Sequence, residues 1–101
     1  MLEISKKEQG RILNYVLYGE LDMASIGTLE EKIKNQNLSG VKTIYFSLSN
    51  LDFIDSTGIG KLIKYYRQYS KQSINVEIIN ENPEIEEILR LIGVRDIIAG
   101  I

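Results

Sequence analysis

VKTIYFSLSNLDFIDSTGIGKLIKYYRQYSK, residues 41–71, decides how the chain is to be read. Its first part, Val41 to Leu48, is β-branched and aromatic, the composition of a buried strand. Ser49 to Asp55 reads as a short connection. Beyond it, Ile59, Leu62, Ile63, Tyr66 and Tyr69 recur at i, i+3, i+4, i+7 and i+10, which predicts a helix from about Thr57 to Lys71. The tyrosines Tyr66 and Tyr69 fall on the apolar stripe of that helix, so core packing explains them better than base stacking.

Outward from this unit, Ile74, Val76 and Ile78 alternate with Asn75 and Glu77 and read as another strand. A strand–helix–strand unit from Val41 to Asn80 predicts two parallel neighbours joined by a right-handed crossover. Asn82-Pro83 is an N-cap followed by proline at the first helical position. Ile85, Ile88, Leu89 and Ile92 continue that helix, Gly93 ends it, and Val94, Ile97 and Ile98 form a short apolar tail.

In the other direction, Leu2 to Lys7 alternates and reads as an edge strand, and Glu8-Gln9-Gly10 is a turn. Arg11 to Tyr18 (RILNYVLY) is the partner strand, closed by Gly19. Its apolar residues fall on both faces, which suggests a central place. Asp22 is an N-cap for a helix at about residues 24–36, carried by Ile26, Leu29 and Ile33 and closed by Asn37 to Gly40. The order is β-β-α-β-α-β-α. The expected fold is α/β, a mixed sheet with an opening antiparallel hairpin and helices packed against it.

The chain has 101 residues, which fits one domain spanning residues 1–101. Its net charge is -2 and no basic stripe is visible, which argues against direct nucleic-acid binding. No apolar run approaches the roughly 20 residues needed to span a bilayer. Met1-Leu2-Glu3-Ile4 lacks the basic and apolar regions of a signal peptide, so a cytoplasmic protein is expected. Neither histidine nor cysteine occurs. Ser-His-Asp and Cys-His catalysis and zinc sites built on imidazole or thiolate are thereby excluded. No catalytic residue, metal or cofactor is expected, and the protein is read as a non-enzyme.

Ser56 lies where the connection becomes a helix, at the N-cap or one residue from it. Orphan backbone N–H groups and the positive end of the helix dipole meet there, which makes such an end an anion site. A phosphate on Ser56 would bring about -1.5 to -2 charges at neutral pH. Gly58 and Gly60, without Cβ, let another protein's backbone or a nucleotide come close. A serine here can equally be an ordinary helix cap. Asp22 and Asp55 can be read as cap and turn residue. They are also carboxylates beside Ser56, because both close the same end of neighbouring strands, and would make a phosphorylated surface strongly acidic. Asp22, Asp52 and Asp55 could hold a hard cation as in a receiver domain, but such a site also needs a lysine after a later strand, where Asn80 stands. The acidic run Glu84-Ile85-Glu86-Glu87 fits ordinary stabilisation of a helix N-terminus.

Gly19-Glu20-Leu21-Asp22 and Leu51-Asp52-Phe53-Ile54-Asp55-Ser56-Thr57-Gly58-Ile59-Gly60, at this separation and in this element order, together resemble the STAS family of the bacterial anti-sigma-factor-antagonist type. The resemblance covers essentially the whole chain. It implies phosphorylation on Ser56, the residue directly after the aspartate, rather than on Thr57. It implies a partner-facing surface containing Asp22, Asp55, Ser56, Thr57 and Gly58. The implied partners are an anti-sigma factor that is also a serine kinase, which the unphosphorylated form binds so that a sigma factor is freed, and a serine phosphatase that resets the switch. The alternative it leaves open is a STAS adaptor module in another signalling or transport assembly. Family members continue past the position of Gly93 into a further helix, which this sequence predicts to be missing or much shortened.

Overall fold

The computed structural model describes residues 1–98. Four strands and four helices follow in the order β1 (Leu2–Gln9), β2 (Ile12–Leu21), α1 (Ile26–Lys34), β3 (Thr43–Ile54), α2 (Ser56–Ser70), β4 (Asn75–Ile79), α3 (Pro83–Ile92) and α4 (Val94–Ile97). The strands form one mixed sheet in the order β1-β2-β3-β4, with β1 antiparallel to β2 and the other two pairs parallel. The predicted mixed sheet and opening hairpin are therefore both present, and β2 is central. A short helix, α4, follows Gly93, and residues 99–101 lie outside the described residues.

The two parallel crossovers, β2-α1-β3 and β3-α2-β4, advance across the sheet in the same direction. Right-handed crossovers then put α1 and α2 on the same face. That face is the dry one. Leu13, Tyr15 and Leu17 of β2, Ile44, Phe46 and Leu48 of β3 and Val76 and Ile78 of β4 are all buried on it. Alternate residues, among them Ile12, Asn14, Tyr18, Tyr45, Ser47 and Glu77, point the other way and keep contact with solvent.

An aromatic column runs through the core from the sheet into α2. Tyr15 stacks on Phe46 at 5.8 Å between ring centroids, Phe46 on Tyr65 at 6.0 Å and Tyr65 on Tyr69 at 6.0 Å. Each such pair contributes about 0.5–1.5 kcal/mol beyond the area it buries. Burial pushes the Tyr65 hydroxyl up to about 12. Tyr65, rather than the predicted Tyr66, is the buried neighbour of Tyr69; Tyr66 is only partly buried. The stripe drifts by one residue because a helix turns once per 3.6 residues, and the column selects the ring that meets Phe46.

The C-terminal ends of three strands differ from the sequence reading. β1 runs on to Gln9, and the turn is Gly10-Arg11. Gly19 does not close β2, which continues to Leu21; it lies at a register shift with φ +96°, and a Cβ there would come within 2.1 Å of the Met1 carbonyl oxygen. Ser49 to Asp55 is no connection, since β3 continues to Ile54. Val16 pairs with Ser47 and Leu21 with Ile54, so β3 spends two more residues than β2 over this stretch. Those bulges make room for polar residues inside a strand, which is why the segment reads as a loop.

The C-terminal end is clamped by Arg95. Its guanidinium donates to the Glu86 carboxylate at 3.1 and 2.9 Å and to the backbone carbonyl of Ile78 in β4 at 2.9 Å. Asn80 donates to the same carboxylate at 3.1 Å. These bonds hold Glu86 below the usual carboxylate range.

Candidate functional site

The ends of β2 and β3 lie side by side, because Leu21 is the register partner of Ile54. The Asp55 N–H then donates to the Leu21 carbonyl at 3.2 Å. This brings the two sequence motifs together: Asp22 begins the loop after β2, and Asp55 begins the turn after β3.

Asp55 is the N-cap of α2, with extended backbone, and its carboxylate accepts from the Gly58 N–H at 2.9 Å. Its second oxygen accepts from the Met23 N–H at 3.2 Å. One side chain thus caps a helix and ties the loop after β2 to it. Ser56 is the first helical residue and is exposed; Thr57 is half-buried. Ser56 therefore stands one residue inside the cap, beside backbone N–H groups that have no intrahelical acceptor.

Gly58 is buried. A Cβ there would lie 2.6 Å from the Leu21 carbonyl oxygen and 2.9 Å from the Leu21 Cγ. The close approach that its missing Cβ allows is made by this chain's own β2, not by an outside molecule. Gly60, by contrast, faces open space.

Asp22 also acts locally. Its Oδ1 accepts from the N–H groups of Ala24 at 3.1 Å and Ser25 at 3.0 Å. It caps the turn that leads into α1, whereas the N-cap of α1 itself is Ser25. Ser25 is buried, and its hydroxyl donates to the Glu20 carbonyl at 2.7 Å while accepting from the Asp22 N–H at 3.0 Å. The loop carrying Asp22 is thereby fixed from both sides. Asp22 and Asp55 spend oxygens on backbone N–H groups, as caps do. Among the described residues no group of three or more histidine, cysteine, aspartate or glutamate side chains could hold a metal ion. No helix among them is long and apolar enough to cross a membrane.

Two side chains at this end carried no signal in the motif reading. Met23 is 75% exposed and Phe53 is 47% exposed. Phe53 stands opposite Glu20, next to the buried pair Leu21–Ile54, so alternation turns it to the solvent side of the sheet. Reading residues 49–55 as a strand would have given its direction; reading them as a connection hid it. Asp22, Asp52 and Asp55 bring carboxylates to this end, Glu20 beside them is paired with the N-terminal ammonium, and the first turn of α2 holds no acidic residue.

A family model described as the STAS domain matches residues 3–101. The anti-sigma-B factor antagonist of Staphylococcus aureus is 25% identical over 96 residues, which cover 95% of this chain and 89% of that protein. Among solved structures, an anti-sigma factor antagonist from Mycobacterium paratuberculosis superposes with a TM-score of 0.87 at 18% identity, over 99% of this chain and 85% of that one. The Bacillus cell fate determinant SpoIIAA in its phosphorylated form gives a TM-score of 0.71 at 21% identity, over 98% of this chain and 91% of that one.

Proposed function

The chain belongs to the STAS domain family, and from that premise we propose that it is an anti-sigma-factor antagonist switched by phosphorylation of Ser56. The unphosphorylated form binds an anti-sigma factor that is also a serine kinase, and so frees a sigma factor. The kinase transfers a phosphoryl group to the Ser56 hydroxyl, the added charge weakens the complex, and a serine phosphatase restores the serine. The chain is the substrate of these reactions and acts as a single regulatory domain.

One observation carries this reading. Ser56 is an exposed hydroxyl at the first position of a helix whose first turn contains no acidic residue. A phosphate placed there is favoured by the helix end, so the domain tolerates it. Outside the protein, the same phosphate adds to the carboxylates of Asp22, Asp52 and Asp55, and a partner matched to the unmodified surface meets a much larger negative field. The name of the Staphylococcus aureus relative and the phosphorylated state of SpoIIAA point the same way.

The test is phosphorylation by the anti-sigma-factor kinase of the species that carries this chain, followed by mapping of the phosphate by mass spectrometry. Stoichiometric label on Ser56, and none in Ser56→Ala, is expected. Label on Thr57 with Ser56 empty would overturn the assignment. Binding measured by calorimetry should be retained in Ser56→Ala and weakened in Ser56→Asp, more weakly than by phosphate, since a carboxylate brings one charge where phosphate brings nearly two.

A further inference from the structure

We propose that the Ser56 face of α2 is a docking stripe for an acidic segment of the partner, with Lys64, Arg67 and Lys71 as its cations and Gly60 and Ile63 as its floor. The proposal rests on the kinase-binding reading above and adds the chemistry of the surface that the kinase offers.

The stripe follows from the sequence of α2. Between Ser56 and Val76 lie four of the chain's 12 lysines and arginines and none of its 14 aspartates and glutamates. A cationic strip therefore crosses a molecule whose net charge is -2. Ser56, Gly60, Lys64, Arg67 and Lys71 recur at i, i+4, i+8, i+11 and i+15, so they share one helix face. At a rise of about 1.5 Å per residue, that face runs for about 22 Å.

Its cations are free to take a ligand. Lys61, on another face, is already engaged: it pairs with Glu30 at 2.6 Å and lies 5.3 Å from the centre of the Tyr65 ring. Lys64, Arg67 and Lys71 are exposed, and none of them has an ion-pair partner among the described residues. They share with Gly60 and Ile63 the lining of a groove of about 530 Å³. Ile63 is half-buried against the core, and where a Cβ would stand on Gly60 there is open space. The groove thus offers an apolar floor beneath a row of positive charge.

Two features set the sign of the occupant. Unpaired cations along one face attract carboxylates and speed the encounter with them. Ser56 stands at the head of the same face, with no side chain at Gly60 between it and Lys64. A phosphate there places about -1.5 to -2 charges at the end of the row. The segment that the cations attract is the one that the phosphate repels, so docking and release act on a single feature of the partner. Asp22 and Asp55 precede the stripe in the chain and accept from backbone N–H groups.

Calorimetry with the purified anti-sigma-factor kinase of the same species tests this. Lys64→Glu/Arg67→Glu is expected to bind about tenfold or more weakly than wild type. Lys6→Glu/Lys7→Glu on β1 makes the same change in net charge and should bind like wild type. The KM for Ser56 phosphorylation should rise by a similar factor in the α2 variant, with kcat near the wild-type value, because the acceptor hydroxyl is untouched. Wild-type affinity should fall as NaCl is raised from about 50 to about 500 mM, and the α2 variant should lose most of that dependence. All four substituted residues are exposed, and far-UV circular dichroism checks that the variants fold. Wild-type affinity in the folded α2 variant, or an unchanged salt response, would overturn the stripe while leaving Ser56 phosphorylation standing. So would a salt-sensitive oligomer of the chain alone that the α2 variant abolishes, since the face would then belong to a second copy. A kinase that neither binds nor labels the wild-type chain would overturn the functional reading and the stripe with it.

Discussion

α2 and α3 start in opposite ways. α3 opens with Asn82 as its cap, Pro83 at the first position and Glu84 and Glu86 in the first turn, so its positive end is met by charges that are always present. α2 opens with Asp55 as its cap and then Ser56, Thr57 and Gly58, with no acid in the first turn. Proline at the start of α3 removes a donor that would have no partner, whereas α2 keeps its donors. The start of α3 is electrostatically finished. The start of α2 has the Asp55 carboxylate on its cap but leaves its first turn free of acids, where a charge can be added and removed while Asp55 secures the helix in either state.

The contrast can be broken most severely at Gly58. Alanine there drives a Cβ against the Leu21 carbonyl, with strand on one side and helix on the other. Gly58→Ala should cost about 2 kcal/mol or more in urea unfolding, whereas Gly60→Ala, in open space, should gain up to about 1 kcal/mol of helix propensity. Equal effects would mean that α2 does not rest on β2 as described.

The two caps come next. Asp55→Ala removes the acceptor for both Gly58 and Met23 and should cost about 1–2 kcal/mol. Asn82→Ala removes a cap together with a bond from its amide to the Leu51 carbonyl, and a loss of similar size is expected. The difference lies in reach: only Asp55→Ala should loosen residues 22–24, read as faster amide exchange there. Unchanged exchange would remove the link between the two loops.

Ser56→Ala should alter stability by less than about 0.5 kcal/mol, since the cap is Asp55 and not Ser56. A loss as large as that of Asp55→Ala would make Ser56 a structural residue first. The smallest effect is the pH response of α3. The bonds from Arg95 and Asn80 lower the Glu86 pKa from 4.5, so their contribution is present above that value and is lost as pH falls through the folded-state pKa. Glu86→Gln should therefore lose less stability than wild type between pH 7 and pH 3, followed by urea midpoints, with the start of α2 unaffected.

Element order, the parallel unit, the Asn82-Pro83 start and the Gly93 stop were legible because periodicity and cap chemistry are local properties. The candidate site was legible as two short motifs, and alignment of β2 with β3 brings them together. What escaped depends on pairing. Residues 49–54 look like a loop because Ser49, Asn50 and Asp52 interrupt the apolar pattern, and only the bulged register turns them into strand and gives Phe53 its direction. Gly19 looked like a terminator because its close contact, the Met1 carbonyl, lies in another strand's lead-in. The choice of Tyr65 over Tyr66 is made by Phe46, which no window on α2 contains.

The Arg95 clamp has a consequence for how this molecule behaves in a crowd. A four-stranded sheet keeps two edges, and an unpaired edge is a template on which another chain can add a strand. On β1 the exposed Lys6 and Lys7 discourage this by charge. On β4, a strand of five residues, Arg95 occupies the Ile78 carbonyl that an incoming strand would otherwise capture. The same guanidinium that fastens the last helix thus keeps the shorter edge from polymerising.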